Sequence, residues 1–156
     1  MNTPEKFVKI EEVKELMPQQ DPFLFLRDCR VVDKEAYSSY EITGKEDFLR
    51  GHFKNNNPVF PASIMLEAVG QLAILYMLKC EEPEMIAPID TSKIFFSSCE
   101  SVRCSRICRP GDVLDLKVIC KRLRHPIATF EAYLSVNGER ACFAEKICLT
   151  FDFKQS

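Results

Sequence analysis

The alternation of apolar and polar positions divides the chain into a short helix, a pair of strands, one long apolar helix and a final run of strands. Ile10, Val13, Leu16 and Met17 recur at helical spacing in KIEEVKELM, and Pro18 ends the run, which predicts a short amphipathic helix. PFLFLRDCRVV (22–32) and AYSSYEIT (36–43) are aromatic and β-branched stretches joined by the polar DKE, the pattern of a hairpin. From Ile64 onward the apolar residues Met65, Leu66, Ala68, Val69, Leu72, Ala73, Leu75, Tyr76 and Met77 occupy nearly every side of a helical wheel. Such a helix must be enclosed by protein, and it is predicted over about 63–79. SKIFFSSCESVRCSRI, VLDLKVICKRL, IATFEAYLSV and ERACFAEKICLTFDF then predict an antiparallel meander, with Leu114, Leu116 and Val118 alternating with outward positions. Pro110-Gly111 suits a tight turn, and Asn137-Gly138 is a strong hairpin signal. No repeat, low-complexity tract or linker divides residues 1–156, so the pattern predicts a single α+β domain.

Composition narrows the classes. A hydrophobic content of 46% over 156 residues is enough for one core. The formal net charge of -2 argues against nucleic acid as a partner. The N-terminal MNTPEKFVKIEEVKELM scatters charges where a signal peptide needs an apolar run. The segment Ile64 to Leu78 is broken by Glu67, Gly70 and Gln71 and falls short of the ~20 apolar residues of a membrane span. A soluble, cytoplasmic protein is expected. The eight cysteines are spread from Cys29 to Cys148 with no compact framework, which suits reduced thiols. Cys99, Cys104 and Cys108 lack the paired C-x-x-C spacing of a zinc site, and no metal is expected.

The chemistry concentrates in RGHFKNNNPVFPASIMLEAVGQL (50–72), which carries His52, one of only two histidines. Taken alone, a single imidazole beside a turn is more often a hydrogen-bonded structural residue than a catalyst. Glu67 changes the balance, because a carboxylate on an apolar helix is costly to bury unless it is paired or used. Gln71, at i+4, shares its face and can hydrogen-bond it, either as a satisfied polar spot in the core or as an orienting group. After Pro61 the helix entrance leaves the N–H groups of Ala62 and Ser63 free to favour a developing oxyanion, with Ser63 either capping the helix or meeting substrate. A base, an acid and oxyanion donors in one segment are the parts needed to add or remove water beside a thioester carbonyl.

The same segment resembles the β-hydroxyacyl-(acyl carrier protein) dehydratases of the hotdog-fold superfamily, whose pattern runs G-H-F, a short loop, P-x-x-P-G and an E-A-x-x-Q helix. Here these are Gly51-His52-Phe53, Pro58-Val59-Phe60-Pro61-Ala62 and Glu67-Ala68-Val69-Gly70-Gln71. LMPQQDPFLFLRD, CRPGDVLDL and ERACFAEKICLTF extend the similarity over most of the chain. Gln19 and Gln20 stand where that family has His-Arg, the KNNN loop is one residue longer, and Ala62 replaces a glycine, keeping the N–H but not a glycine-only backbone angle.

The resemblance implies a hotdog fold, an antiparallel sheet wrapped around a long central helix and continued across a homodimer or higher homo-oligomer. It implies that His52 removes the α-proton and Glu67 protonates the departing β-hydroxyl, with no metal or other cofactor. The two residues of one site would come from different subunits, with the acyl chain in a tunnel between them. Phe23, Phe25, Phe60, Met65, Phe95 and Phe96 are candidates for its lining, or are simply core. The implied partner is an acidic acyl carrier protein. Arg103, Arg106, Arg109, Lys121, Arg122 and Arg124 are then a docking rim or a solvated strand face. Rival functions are a hotdog thioesterase or CoA-ester hydratase, and a catalytically silent carrier-binding homologue.

Overall fold

The structure, a computed structural model, describes residues 4–155. A short strand β1 (Lys6–Val8) precedes helix α1 (Ile10–Leu16), which forms on the predicted apolar stripe with Val13 buried. Gln20 closes that helix, its amide donating to the carbonyls of Lys14 at 2.7 Å and Met17 at 2.9 Å. Strands β2 (Cys29–Val32) and β3 (Glu35–Glu41) make the predicted hairpin, with Asp33 in the left-handed region at φ 51°. Helix α2 (Ala62–Lys79) follows, then β4 (Phe95–Cys104), β5 (Val113–Arg124), β6 (Ile127–Val136) and β7 (Glu139–Thr150). Asn137 and Gly138, at φ 50° and 79°, turn β6 into β7 as the Asn-Gly signal requires.

All seven strands join one antiparallel sheet in the order β1-β2-β3-β5-β6-β7-β4. The sheet curls around α2, which packs against β3, β5, β6 and β7. Residues 68 to 77 of α2 are all buried. Tyr76 meets Phe130 of β6 edge-on, with ring centres 5.7 Å apart. In length and apolar composition α2 resembles a membrane-crossing helix, yet what it occupies is the core of this domain.

Two sequence expectations need correction. The strand expected over 22–32 begins only at Cys29, and Leu24, Phe25 and Leu26 are fully buried outside the sheet. Their aromatic content marked burial rather than extension, because a side chain of α2, Gln71, takes the hydrogen bonds a neighbouring strand would have taken. The strand β1, which no sequence feature announced, pairs with β2 through Val8 and Cys29.

Strand β4 is one margin of the sheet and exposes most of its ten residues. It reaches over α2 at one point, where Gly70 admits the ring of Phe96. A Cβ on Gly70 would lie 2.6 Å from Cε2 and 2.7 Å from Cδ2 of that ring. Alanine normally gains about 1 kcal/mol over glycine within a helix, whereas overpacking costs about 1–3 kcal/mol. Gly70→Ala should therefore lower stability in the wild-type background and raise it in a Phe96→Ala background. Denaturant unfolding of the four proteins checks this reversal of sign.

Candidate active site

His52 ends a 3-10 turn (Asp47–Gly51) whose Leu49 is anchored in the core. The asparagine loop after it folds back at once. Phe53 N–H donates to the Asn57 carbonyl at 2.8 Å, while Asn55 and Asn56 adopt φ of 61° and 52°, a conformation asparagine tolerates better than most residues. The return brings Val59 beside His52. Val59 N–H donates to the His52 carbonyl at 2.7 Å, and His52 Nδ1 lies 2.7 Å from the Val59 carbonyl oxygen. A carbonyl only accepts, so in the neutral ring Nδ1 carries the proton and Nε2 presents a lone pair. The loop is held from behind by Arg109, whose Nη1 donates to Asn57 Oδ1 at 2.5 Å.

The helix entrance is built next to this loop. Phe60 N–H donates to the Cys108 carbonyl at 2.8 Å, Pro61 is the N-cap, and Ala62 and Ser63 are the first two helical residues. Their N–H groups precede the reach of any intrahelical acceptor. Ser63 does not cap the helix, contrary to one reading of the sequence. A capping residue must sit before the helix in extended conformation, and that position belongs to Pro61, which has no side-chain cap bond. Ala62 is ordinary helix with no positive φ, so the glycine of the related pattern is not demanded by the backbone here. A depression of about 560 Å³ is lined by His52, Phe53, Val59, Phe60, Ala62 and Met65 together with Cys104 to Ile107, and Phe60 and Met65 are its most deeply buried members.

Glu67 does not line that depression. At about 100° per residue, Ala62 and Met65 share one side of α2, and Glu67 and Gln71 lie roughly opposite. Gln71 is 1% exposed, and its amide is fully engaged. Its Oε1 accepts from Phe25 N–H at 2.9 Å, and its Nε2 donates to the Phe23 carbonyl at 3.0 Å and to Glu67 Oε1 at 3.2 Å. One chain thus carries a poised imidazole and an oriented carboxyl on different sides of the same helix.

The remaining sequence candidates are dispersed. Phe25 and Phe60 are buried in an aromatic cluster with Tyr40 and Phe48, with ring centres 5.3 to 6.2 Å apart. Behind that cluster Tyr40 donates to Glu46 at 2.8 Å, and burial pushes the Tyr40 hydroxyl well above its usual pKa. Phe23 is half-exposed near Gln71, Phe95 is 67% exposed on β4, and Phe96 packs on Gly70. The six basic residues fall into two groups. Arg106 lines the His52 depression and pairs with Asp112 at 3.4 Å and Glu139 at 3.2 Å, Arg109 holds the loop after His52, and Arg103 is exposed near the end of β4. Lys121, Arg122 and Arg124 sit at the far end of β5, about 25 Å or more from its start at ~3.3 Å per residue. Lys121 there pairs with Glu131 at 2.9 Å. Sequence reading missed the Val59 carbonyl, the Arg109–Asn57 tether and the pocket wall at Cys104 to Ile107. The first has no side-chain signal, and the others depend on strand register.

The FabA-like domain matches residues 17–145 of the chain. The chain is 36% identical over 147 residues to the 3-hydroxyacyl-(acyl-carrier-protein) dehydratase FabZ of Exiguobacterium sibiricum, a match spanning 93% of this chain and 98% of that protein. It is 34% identical over 140 residues to FabZ of Bacillus thuringiensis, spanning 88% and 92% respectively. Its fold matches the dehydratase heterocomplex ApeI:P from Xenorhabdus doucetiae with a TM-score of 0.74 at 17% identity, covering 91% of each chain. A sheet curled around one buried helix, with a Gly-His-Phe loop at the entrance of that helix and an extended match to these dehydratases, places the chain in the FabA-like family, on the hotdog fold.

Proposed function

We propose that this protein is a cytoplasmic enzyme that dehydrates 3-hydroxyacyl thioesters of an acyl carrier protein to trans-2-enoyl thioesters, in fatty acid or related lipid synthesis. The observation that carries the reading is the 2.7 Å contact of His52 Nδ1 with the Val59 carbonyl oxygen, together with 36% identity to a dehydratase over nearly the whole chain. With Nδ1–H committed to the Val59 carbonyl, Nε2 is the basic atom and takes the α-proton. The thioester oxygen lies at the Ala62 N–H, where the helix dipole favours the charge that develops on it. Glu67 delivers a proton to the departing β-hydroxyl, and Gln71 fixes its carboxyl. Loss of water is redox-neutral: His52 accepts one proton, Glu67 donates one, and a proton returned from His52 to Glu67 restores the pair.

The two residues meet in a homodimer. Strand β4 leaves a ten-residue edge unpaired on its outer side, and a second copy pairing there continues the sheet. His52 of one subunit then faces Glu67 of the partner subunit across the depression, and Phe60 and Met65 line its apolar floor. Arg103, Arg106 and Arg109, of which Arg106 lines the depression, are the group suited to an acidic carrier.

His52→Ala and Glu67→Gln should each lower turnover of 3-hydroxyacyl carriers about 100- to 10,000-fold, the usual contribution of one positioned proton-transfer group. Equal mixing of the two inactive proteins, with subunit exchange, should restore about a quarter of the wild-type rate, because half the dimers are mixed and each holds one intact site. Wild-type rates in either variant, measured by mass spectrometry of the carrier-bound product, would leave a carrier-binding role instead. Thioester hydrolysis in place of dehydration would indicate a thioesterase. Light scattering at micromolar concentration should give a dimer or larger, and a monomer counts against the shared site.

Gln71→Leu should destabilise the fold by about 1–3 kcal/mol, since it strands the buried Phe25 N–H, while the partly exposed Phe23 carbonyl can turn to water. Urea unfolding checks it.

A further inference from the structure

Two thiols that the dehydration scheme does not use stand side by side, and one of them, Cys104, lines the His52 depression. Cys104, the last residue of β4, lies directly opposite Cys142 of β7. Ser105 N–H donates to the Ala141 carbonyl at 2.9 Å. That bond flanks a pair of the non-hydrogen-bonded kind, in which Cα atoms are about 4.5 Å apart and side chains come closest. This spacing is within the span of a disulfide. The two sulfurs are 3.8 Å apart, in van der Waals contact.

Their surroundings assign different roles. Cys142 is buried on the inner face, and its thiol is pushed up to about 12 by burial and then by the neighbouring Cys104, so it stays protonated and shielded. Cys104, the last residue of β4, is exposed in the single chain and lines the same depression as His52, so a small molecule entering that depression meets it. The exposed sulfur is the one a small oxidant reaches, and the buried one waits at contact distance.

We infer that Cys104, in the lining of the His52 pocket, and Cys142 behind it are an oxidation-sensitive dithiol, which a hydroperoxide closes to a cross-strand disulfide and a thiol reductant reopens. The Cys104 thiolate attacks one peroxide oxygen; an S–O bond forms, the O–O bond breaks, and the leaving oxygen takes a proton to become an alcohol, or water from hydrogen peroxide. The Cys142 sulfur then attacks the sulfenic sulfur of Cys104. An S–S bond forms, the S–O bond breaks, and hydroxide leaves with the Cys142 proton as water. Two thiols lose two electrons, and the hydroperoxide gains them.

Closure draws the Cys104 sulfur from contact to bonding distance of Cys142 and ties the end of β4 to β7. Ser105, Arg106 and Ile107 continue the pocket lining from that point, so the lining shared with His52 shifts with it. The resulting loss of turnover rests on the dehydratase reading, whereas the disulfide itself does not.

The test is unreduced peptide mapping of the whole protein after mild hydrogen peroxide, with turnover measured in parallel. A linked Cys104–Cys142 peptide should appear, lighter by about 2 Da for the two hydrogens lost, and dithiothreitol should abolish it. Turnover should fall and return in step with the peptide. In Cys142→Ser, Cys104 should progress to sulfinic acid, which dithiothreitol does not reverse. In Cys104→Ser, Cys142 should remain an unmodified thiol. Wild-type Cys104 ending as sulfinic acid beside a free Cys142, or both thiols surviving while the exposed Cys99 is oxidised, overturns the dithiol. A reversible bridge with unchanged turnover overturns its link to the site. Reduced protein that dehydrates no 3-hydroxyacyl carrier removes the dehydratase reading alone, because the linked peptide is read without it.

Discussion

A helix of eighteen residues with apolar side chains on almost every side cannot be covered by one flat surface. Four strands of the curled sheet take most of its circumference. The segment around Phe25 covers another part, fixed there by the Gln71 amide, and β4 reaches across at Gly70. Burying an unpaired amide would cost several kcal/mol, and three hydrogen bonds offset it, so Gln71 acts as a clamp on a wall of the core. Cover is least complete over the first turns of α2, where Ala62 and Ser63 are exposed and Ile64, Leu66 and Glu67 only partly buried. The candidate catalytic groups occupy that uncovered end, where substrate can approach and helix amides remain unclaimed.

How much of this was legible in the sequence depends on whether a feature is local. The all-round apolar helix, the Asn-Gly hairpin and the strands from Val113 onward carry their periodicity in consecutive residues, and they formed as expected. The stretch around Phe25 did not, because its backbone partners belong to a side chain 46 positions away. Strand β1 is too short to show a period, and it is a strand only by pairing with β2. His52, Glu67 and Gln71 could be picked out as polar residues against an apolar background. That Glu67 and Gln71 lie opposite Ala62 and Met65 on α2 follows from helical geometry alone, but the placement of the His52 loop beside Ala62 and the Val59 carbonyl that meets the imidazole could not be read from residue types.

Three of the four departures from the related pattern have local structural explanations; nothing in the structure explains Gln19. Gln20, in place of a basic residue, uses its amide to close α1 through two backbone carbonyls. Ala62 needs no special backbone angle and keeps its N–H at the helix entrance. The polar loop accommodates its length with two left-handed asparagines and is tied down by Arg109. That tether joins the loop of His52 to the turn before β5, so two segments 52 positions apart hold one imidazole.

The bare margin of β4 also bears on the life of the chain before it has found a companion. Between release from the ribosome and assembly, the outer edge of this ten-residue strand, with Phe95 projecting into water, forms a template for any other extended segment nearby. The bulge between Phe96 and Ser98 and the left-handed Ser101 interrupt its regularity, and Glu100 and Arg103 place charges along it. These features discourage indiscriminate stacking while leaving the strand able to accept a partner of matching shape. Slow assembly would then be felt first as loss of the protein to precipitation or proteolysis, well before any change in the folded form.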